Sequence, residues 1–289
     1  PPPPFFLTHN PAYQISACLV GSEMCTRDSK CSVLYDFCRT IDNIADQNKD
    51  LEIKKKELEE FRKKFEQKNK DDGVIKNMWD LMNEKNISKK IVEDLFDGIN
   101  SDLKKEVRIE TEKELLIYSY RVAGTVGLMM AKIFGVKKKE SLQRAIDLGI
   151  AMQLTNIARD GVEDEKKNRF YLIKSSNDVF KSIQNIILKA DSFYDSSFEG
   201  IRDIPLNSRF SIIVARRVYR QIGKKICNQK DINHYRQAGK IYVSNFGKII
   251  QTLFSLKDLI ILFFVKEKKY EKELEYNLIN EDIGLNERI

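Results

Sequence analysis

Residues 153–164 read QLTNIARDGVED, and the segment just before them, Leu148-Gly149-Ile150-Ala151-Met152, is almost wholly apolar. On a helix of about 3.6 residues per turn, Gln153, Asn156, Asp160 and Asp164 fall on one face, and Gly149 extends that stripe by a turn. Ile150, Ala151, Met152, Leu154, Ile157 and Ala158 cover the other sides. A helix that is apolar nearly all round belongs at the centre of a bundle. Its polar stripe must then line an internal cavity or meet partners there, because an unpaired buried carboxylate carries a large desolvation cost. This stretch therefore predicts an all-α fold, a helical bundle built around a central cavity.

Working outward, helical periodicity persists almost everywhere from residue 30 onward, and strand-like alternation is absent. Helices are predicted at 30–47, 51–68, 74–84, 88–101, 111–135, 138–164, 177–199, 208–228 and 239–266. Thr111-Glu112-Lys113-Glu114 is a capping box that opens the fifth, and Gly135 is its stop. Segment 115–134 is a second helix apolar on nearly all sides. The 289 residues contain 13 Gly and 6 Pro, with no Gly/Ser-rich or Pro-rich linker. We read a single domain over 30–270, preceded by a poorly structured or non-native segment (1–29) and followed by a polar tail (271–289). Gly21–Ser29 reads GSEMCTRDS, the kind of peptide produced when a sequencing adapter is translated in frame with a gene, so much of 1–29 is expected to be foreign.

A second polar stripe matches the first. Tyr35, Arg39, Asp42 and Asp46 recur at steps of three and four residues. Two acidic stripes facing one another suit Mg2+, which takes oxygen ligands and bridges to substrate phosphates; such ions would grip a diphosphate and stabilise it as a leaving group. Arg39, Arg159 and Arg169 would neutralise phosphate oxygens. The segment Val122-Ala123-Gly124-Thr125-Val126-Gly127 places small residues inside an apolar helix, which allows close helix packing or leaves room for a long apolar chain. No P-loop and no GxGxxG occurs, which argues against a nucleotide-binding fold.

The net charge is +7, from 50 Lys and Arg against 43 Asp and Glu. No aromatic-interleaved basic stripe or zinc-finger spacing supports nucleic-acid binding. Five Cys without a CxxC pair indicate neither a disulfide framework nor a zinc site and fit a reduced, cytoplasmic setting. The apolar run Leu259–Val265 is too short to span a membrane; the region 253–265 is the expected place of any peripheral membrane contact.

Several segments resemble the squalene/phytoene synthase family over about residues 31–250. Cys38-Arg39-Thr40-Ile41-Asp42-Asn43-Ile44-Ala45-Asp46 is similar to its first aspartate-rich motif, and Gln153–Asp164 to its second. Asn168-Arg169-Phe170-Tyr171-Leu172 follows in family order, and Asp97–Leu103 resembles the segment that precedes Tyr118–Gly127. That last stretch is similar to the bacterial-type phytoene synthase form. Asn43 departs from the many members with a further Asp there, and the family's Ser-rich segment near the diphosphate is not found upstream.

The resemblance implies a single-domain isoprenoid synthase bundle and a prenyltransferase. It implies Asp42, Asp46, Asp160 and Asp164 as ligands for Mg2+, with Mn2+ as a substitute. Tyr118, Arg159 and Asp160 would be catalytic. Tyr35, Arg39, Gln153, Asn156, Arg169 and Tyr171 would line the diphosphate end; Val122, Val126, Gly127, Leu148 and Gly149 the chains; Tyr219 and Lys240 late cavity positions. The implied reaction is head-to-head condensation of two geranylgeranyl diphosphates to phytoene, without NADPH. The alternatives are a squalene- or dehydrosqualene-type synthase acting on farnesyl diphosphate, and a non-catalytic relative acting in assembly.

Overall fold

The structure, a computed structural model, describes residues 25–173, 178–264, 266 and 268–289. Short polar side chains set where its helices begin. Asp72, Ser88, Asp178 and Asp231 each accept backbone N–H groups that have no partner within the helix they open. Thr111 and Glu114 form both arms of the expected capping box. The chain runs through α1 (Cys25–Asp46), α2 (Leu51–Glu66), α3 (Gly73–Lys85), α4 (Lys89–Ser101), α5 (Glu112–Ser119), α6 (Thr125–Ile133), α7 (Lys139–Glu165), α8 (Val179–Gly200), α9 (Leu206–Cys227), α10 (Ile232–Ala238), α11 (Asn245–Phe264) and α12 (Glu273–Ile283).

The all-α reading holds, and α7 is the centre of the bundle. It is 27 residues long, and its buried positions lie on every side. Helices α6, α8 and α9 pack around it. Buried apolar residues from Leu34 to Leu285 form one continuous cluster.

Four features differ from the sequence reading. Val107–Arg108 (β1) and Arg169–Phe170 (β2) form a two-residue parallel ladder, Val107 facing Arg169 and Arg108 facing Phe170. It ties the segment after α7 to the loop after α4. The predicted 111–135 helix is interrupted by a π-turn at Tyr120–Gly124, which separates α5 from α6. The predicted 239–266 helix begins only at Asn245, because Gly239 turns the chain at φ +60°. After it Ile241 and Val243 are buried while Tyr242 is exposed, an extended alternation. Residues 271–289, read as a polar tail, contain α12, whose Tyr276, Ile279 and Ile283 are buried, followed by buried Leu285. The reading of residues 1–29 falls outside the described residues as far as residue 24; residues 25–29 belong to α1.

Candidate active site

Glycines let the central helices approach closely enough to shape the cavity. A Cβ on Gly127 of α6 would lie 2.4 Å from the Ala145 carbonyl oxygen, and one on Gly149 of α7 would lie 2.3 Å from that of Ala123. Neither position tolerates a side chain, so the close-packing reading of these glycines is correct. The same wall also borders a large apolar cavity, lined by Tyr35, Asp42, Val122, Val126, Gly127, Leu148, Gly149 and Tyr219 among the expected residues. Met130, Phe134, Ile204 and Ile212 extend the apolar lining.

The remaining expected residues gather beyond the Asp42 end. Asp42, Asp160 and Asp164 are buried, as are Gln153 and Asn156, while Asp46 is exposed at the rim. Burial and the neighbouring Asp46 push the Asp42 carboxyl up to about 7, with Arg39 opposing and Asp102 adding to the rise. Burial and the neighbouring Asp160 push Asp164 up to about 7, with Arg169 and Lys167 opposing and Asp102 again adding to the rise. The two stripes therefore share one field, and Asp102 lies between them.

Asp102 was not assigned a role from sequence. It is buried, just past the end of α4, and accepts hydrogen bonds from Tyr118 Oη (2.9 Å) and Tyr171 Oη (2.7 Å). The two phenol rings stack with centroids 4.8 Å apart. The β1–β2 ladder brings Tyr171 to this place. Burial holds Asp102 above the usual carboxylate range. The available signal was an acid in the Asp97–Leu103 segment, between Ile99 and Leu103, both of which are buried.

Asp160 is engaged differently from Asp42 and Asp164. Arg159 donates to both its oxygens, at 2.8 and 2.6 Å, and Lys240 Nζ lies 3.4 Å away. Tyr219 is near enough to sense both Arg159 and Asp160. Asp164, Arg169 and Tyr171 also border a second hollow together with Arg108.

Buried polar atoms without hydrogen-bond partners mark where a ligand fits. Among the described residues they include Asp42 Oδ2, Asp164 Oδ2, Arg39 Nη1 and both amide atoms of Gln153. Such atoms are rare in folded proteins and each points to something unsatisfied. Carboxylate oxygens and a guanidinium donor are what a divalent cation with a phosphorylated ligand requires. No group of three or more His, Cys, Asp or Glu that could hold a metal ion occurs among the described residues. This donor set suits Mg2+, which commonly takes one or two carboxylates and completes its shell with water and substrate phosphate.

The apolar cavity reaches Asp42, whose carboxylate is coupled to Asp46, Arg39 and Asp102, an arrangement suited to a long apolar chain carrying a phosphorylated head. Comparison with known sequences agrees: the profile of the squalene/phytoene synthase family matches residues 27–246, and the chain belongs to that family. It is 39% identical over 138 residues to a 15-cis-phytoene synthase of Enterobacter agglomerans, covering 42% of this chain and 47% of that protein. It is 30% identical over 261 residues to the chloroplastic phytoene synthase 2 of rice (Oryza sativa subsp. japonica), covering 80% of this chain and 64% of the relative. The chain spans about half the length of the bacterial relatives it matches. In fold it resembles a ligand-bound dehydrosqualene synthase, with a TM-score of 0.69 and 23% identity over 88% of this chain and 93% of the other. A squalene synthase from Alicyclobacillus acidocaldarius gives a TM-score of 0.60 at 17% identity, covering 76% and 94%.

Proposed function

We propose that this chain is a prenyltransferase that condenses two geranylgeranyl diphosphates head to head, through a cyclopropyl diphosphate, to phytoene. The observation that carries the reading is an apolar cavity that reaches Asp42, whose Oδ2 has no hydrogen-bond partner and whose charge is coupled to the orphaned Arg39 guanidinium. The similarity to phytoene synthases favours the C20 substrate.

Mg2+, for which Mn2+ would substitute, supplies charge neutralisation of the diphosphate as it leaves. Asp42 and Asp46 on one stripe and Asp164 on the other would each hold such an ion, while Asp160, whose oxygens are occupied by Arg159, would join them only if that pair opened. Arg39, Arg169 and Lys240 add positive charge at the same end, with Tyr35, Gln153 and Asn156 beside them. Leu148, Val122 and Val126 exclude water from the chain, so that the allylic cation meets a double bond rather than a water molecule. The Tyr118 hydroxyl is held by Asp102, and burial keeps it protonated, well above the usual phenol range. Tyr118 therefore acts as a neutral hydroxyl and an electron-rich ring face near developing positive charge. No redox step occurs on this route, so NADPH is not consumed.

The alternative, a squalene- or dehydrosqualene-type synthase acting on farnesyl diphosphate, is compatible with the same fold. Incubation of the chain with geranylgeranyl diphosphate and Mg2+, followed by analysis of extracted hydrocarbon, separates the two. Phytoene is the expected product. Turnover of farnesyl diphosphate alone would replace the C20 assignment, and diphosphate binding without turnover of either substrate would favour a non-catalytic role.

A further inference from the structure

Helix α11 is amphipathic with its polar side turned inward. Phe246, Ile249, Leu253, Leu256, Ile260 and Phe263 recur at steps of three and four, which puts them on one face. All six are exposed, Phe246 by 72% and Leu253 by 61%. Phe264 lies on the same face and is exposed too, while Phe254 turns toward α9, where the Arg217 guanidinium lies over its ring. The opposite side holds the helix to α9 through polar contacts: Arg217 donates to Gln251 at 3.2 Å and to Asp258 at 2.6 Å. A contiguous apolar face of this extent on a protein surface marks an interaction site.

Charge decides between possible occupants. Lys257 is exposed on the flank of the apolar face, beside Leu253 and Ile260, and no ion pair holds it among the described residues. The single acid on α11, Asp258, is bound by Arg217 on the other side. Two copies pairing through this face would bury Lys257 with no acid of α11 opposite it, a costly arrangement. At a lipid surface the same side chain lays its stem along the acyl region and extends its ammonium to the headgroups. Lys248 lies on the same helix and exposed Lys266 follows its end, within a chain of net charge +7. No helix of the described residues is long and apolar enough to cross a membrane, so such a helix lies in the interface plane.

We propose that α11 docks flat on an anionic lipid surface, inserting the Phe246–Phe263 face and directing Lys257 to headgroup phosphates. The same α9 that holds α11 lines the apolar cavity through Ser208, Ile212, Ala215 and Tyr219, so cavity and bilayer lie on two sides of one helix. The proposal stands on the geometry of α11 and does not require the catalytic reading.

Flotation of the full chain with phosphatidylcholine vesicles, with and without phosphatidylglycerol, tests it. The chain is expected to float with the phosphatidylglycerol vesicles and much less with the neutral ones. Leu253→Glu combined with Ile260→Glu lowers binding at least about tenfold, since both lose buried apolar contact. Lys257→Glu lowers it about fivefold on anionic vesicles only. Circular dichroism and melting temperature check that the variants are folded. Flotation of the double variant at the wild-type level, equal flotation on both vesicle types, or no flotation of the wild type overturns the proposal. So does a wild-type dimer in lipid-free ultracentrifugation that the double variant dissociates, which would assign the face to a second copy.

Discussion

Asp102 accepts both the Tyr118 and Tyr171 hydroxyls and adds to the field that raises Asp42 and Asp164. Its charge and its geometry are therefore both in use. Asp102→Asn keeps the volume but turns one acceptor into a donor facing a phenol, and removes the charge. We expect turnover to fall about 10- to 100-fold, as for other supporting partners of a metal site, with the far-UV circular dichroism unchanged. Steady-state rates at saturating substrate over a Mg2+ titration measure it. The four stripe acids were legible in the sequence because helical spacing alone puts them on common faces. Asp102 was not, because it acquires its partners from α5 and from the residue just after β2, 16 and 69 residues away. Nor does spacing reveal that both Asp160 oxygens are occupied by the adjacent Arg159.

Helix α7 meets the π-turn through backbone at Gly149, and this contact sets the spacing of the cavity wall. Gly149→Ala puts a methyl group 2.3 Å from the Ala123 carbonyl oxygen, which backbone cannot yield cheaply. Overpacking of this kind costs about 1–3 kcal/mol, and a lowered midpoint in urea unfolding is the expected result. On its other side α7 meets α8 through Asp147, whose oxygens accept from Ser196 Oγ at 2.6 Å and Tyr270 Oη at 2.9 Å. Burial pushes Asp147 up to about 7, against an unfolded value near 3.8. The folded state then binds the proton more tightly than the unfolded chain. Its stabilising contribution is full in acid and is lost as pH rises from about 4 through about 7. Relative to Asp147→Asn, the wild type should lose melting temperature between about pH 4 and pH 7; parallel pH profiles for the two proteins would sink the assignment. At this scale most helices were legible from apolar periodicity. The π-turn at Tyr120–Gly124 was not, since the segment keeps helical composition throughout and only the added residue per turn changes the register. The late start of α11 was hidden because Gly239 resembles any interior glycine until its positive φ is known.

The C-terminal segment closes the molecule by burying polar pairs rather than by apolar burial alone. Lys268 gives its carbonyl oxygen to Arg144 and its backbone N–H to Glu199, Tyr270 reaches Asp147, and Arg288 reaches Asp94. This explains why 271–289 read as a tail: Glu273–Ile283 is rich in acids, and its buried residues are only three, Tyr276, Ile279 and Ile283. Arg288 holds Asp94 in a two-pronged pair, at 3.0 and 3.1 Å, and Tyr120 Oη donates to the same carboxylate at 3.0 Å. Arg288 is thereby tied to the first residue of the π-turn through Asp94, which lies 194 positions before it in sequence. All three side chains are largely withdrawn from water. Arg288→Ala leaves Asp94 as a buried carboxylate with one neutral donor, a change that costs about 3–5 kcal/mol when one member of a buried pair is removed. Asp94→Asn alone should cost less if Arg288 finds water at the surface. The double substitution should then cost less than the sum, with a coupling of at least about 1 kcal/mol in urea unfolding. Additive costs would mean that the pair is a surface contact, and that α12 is held by its apolar face alone.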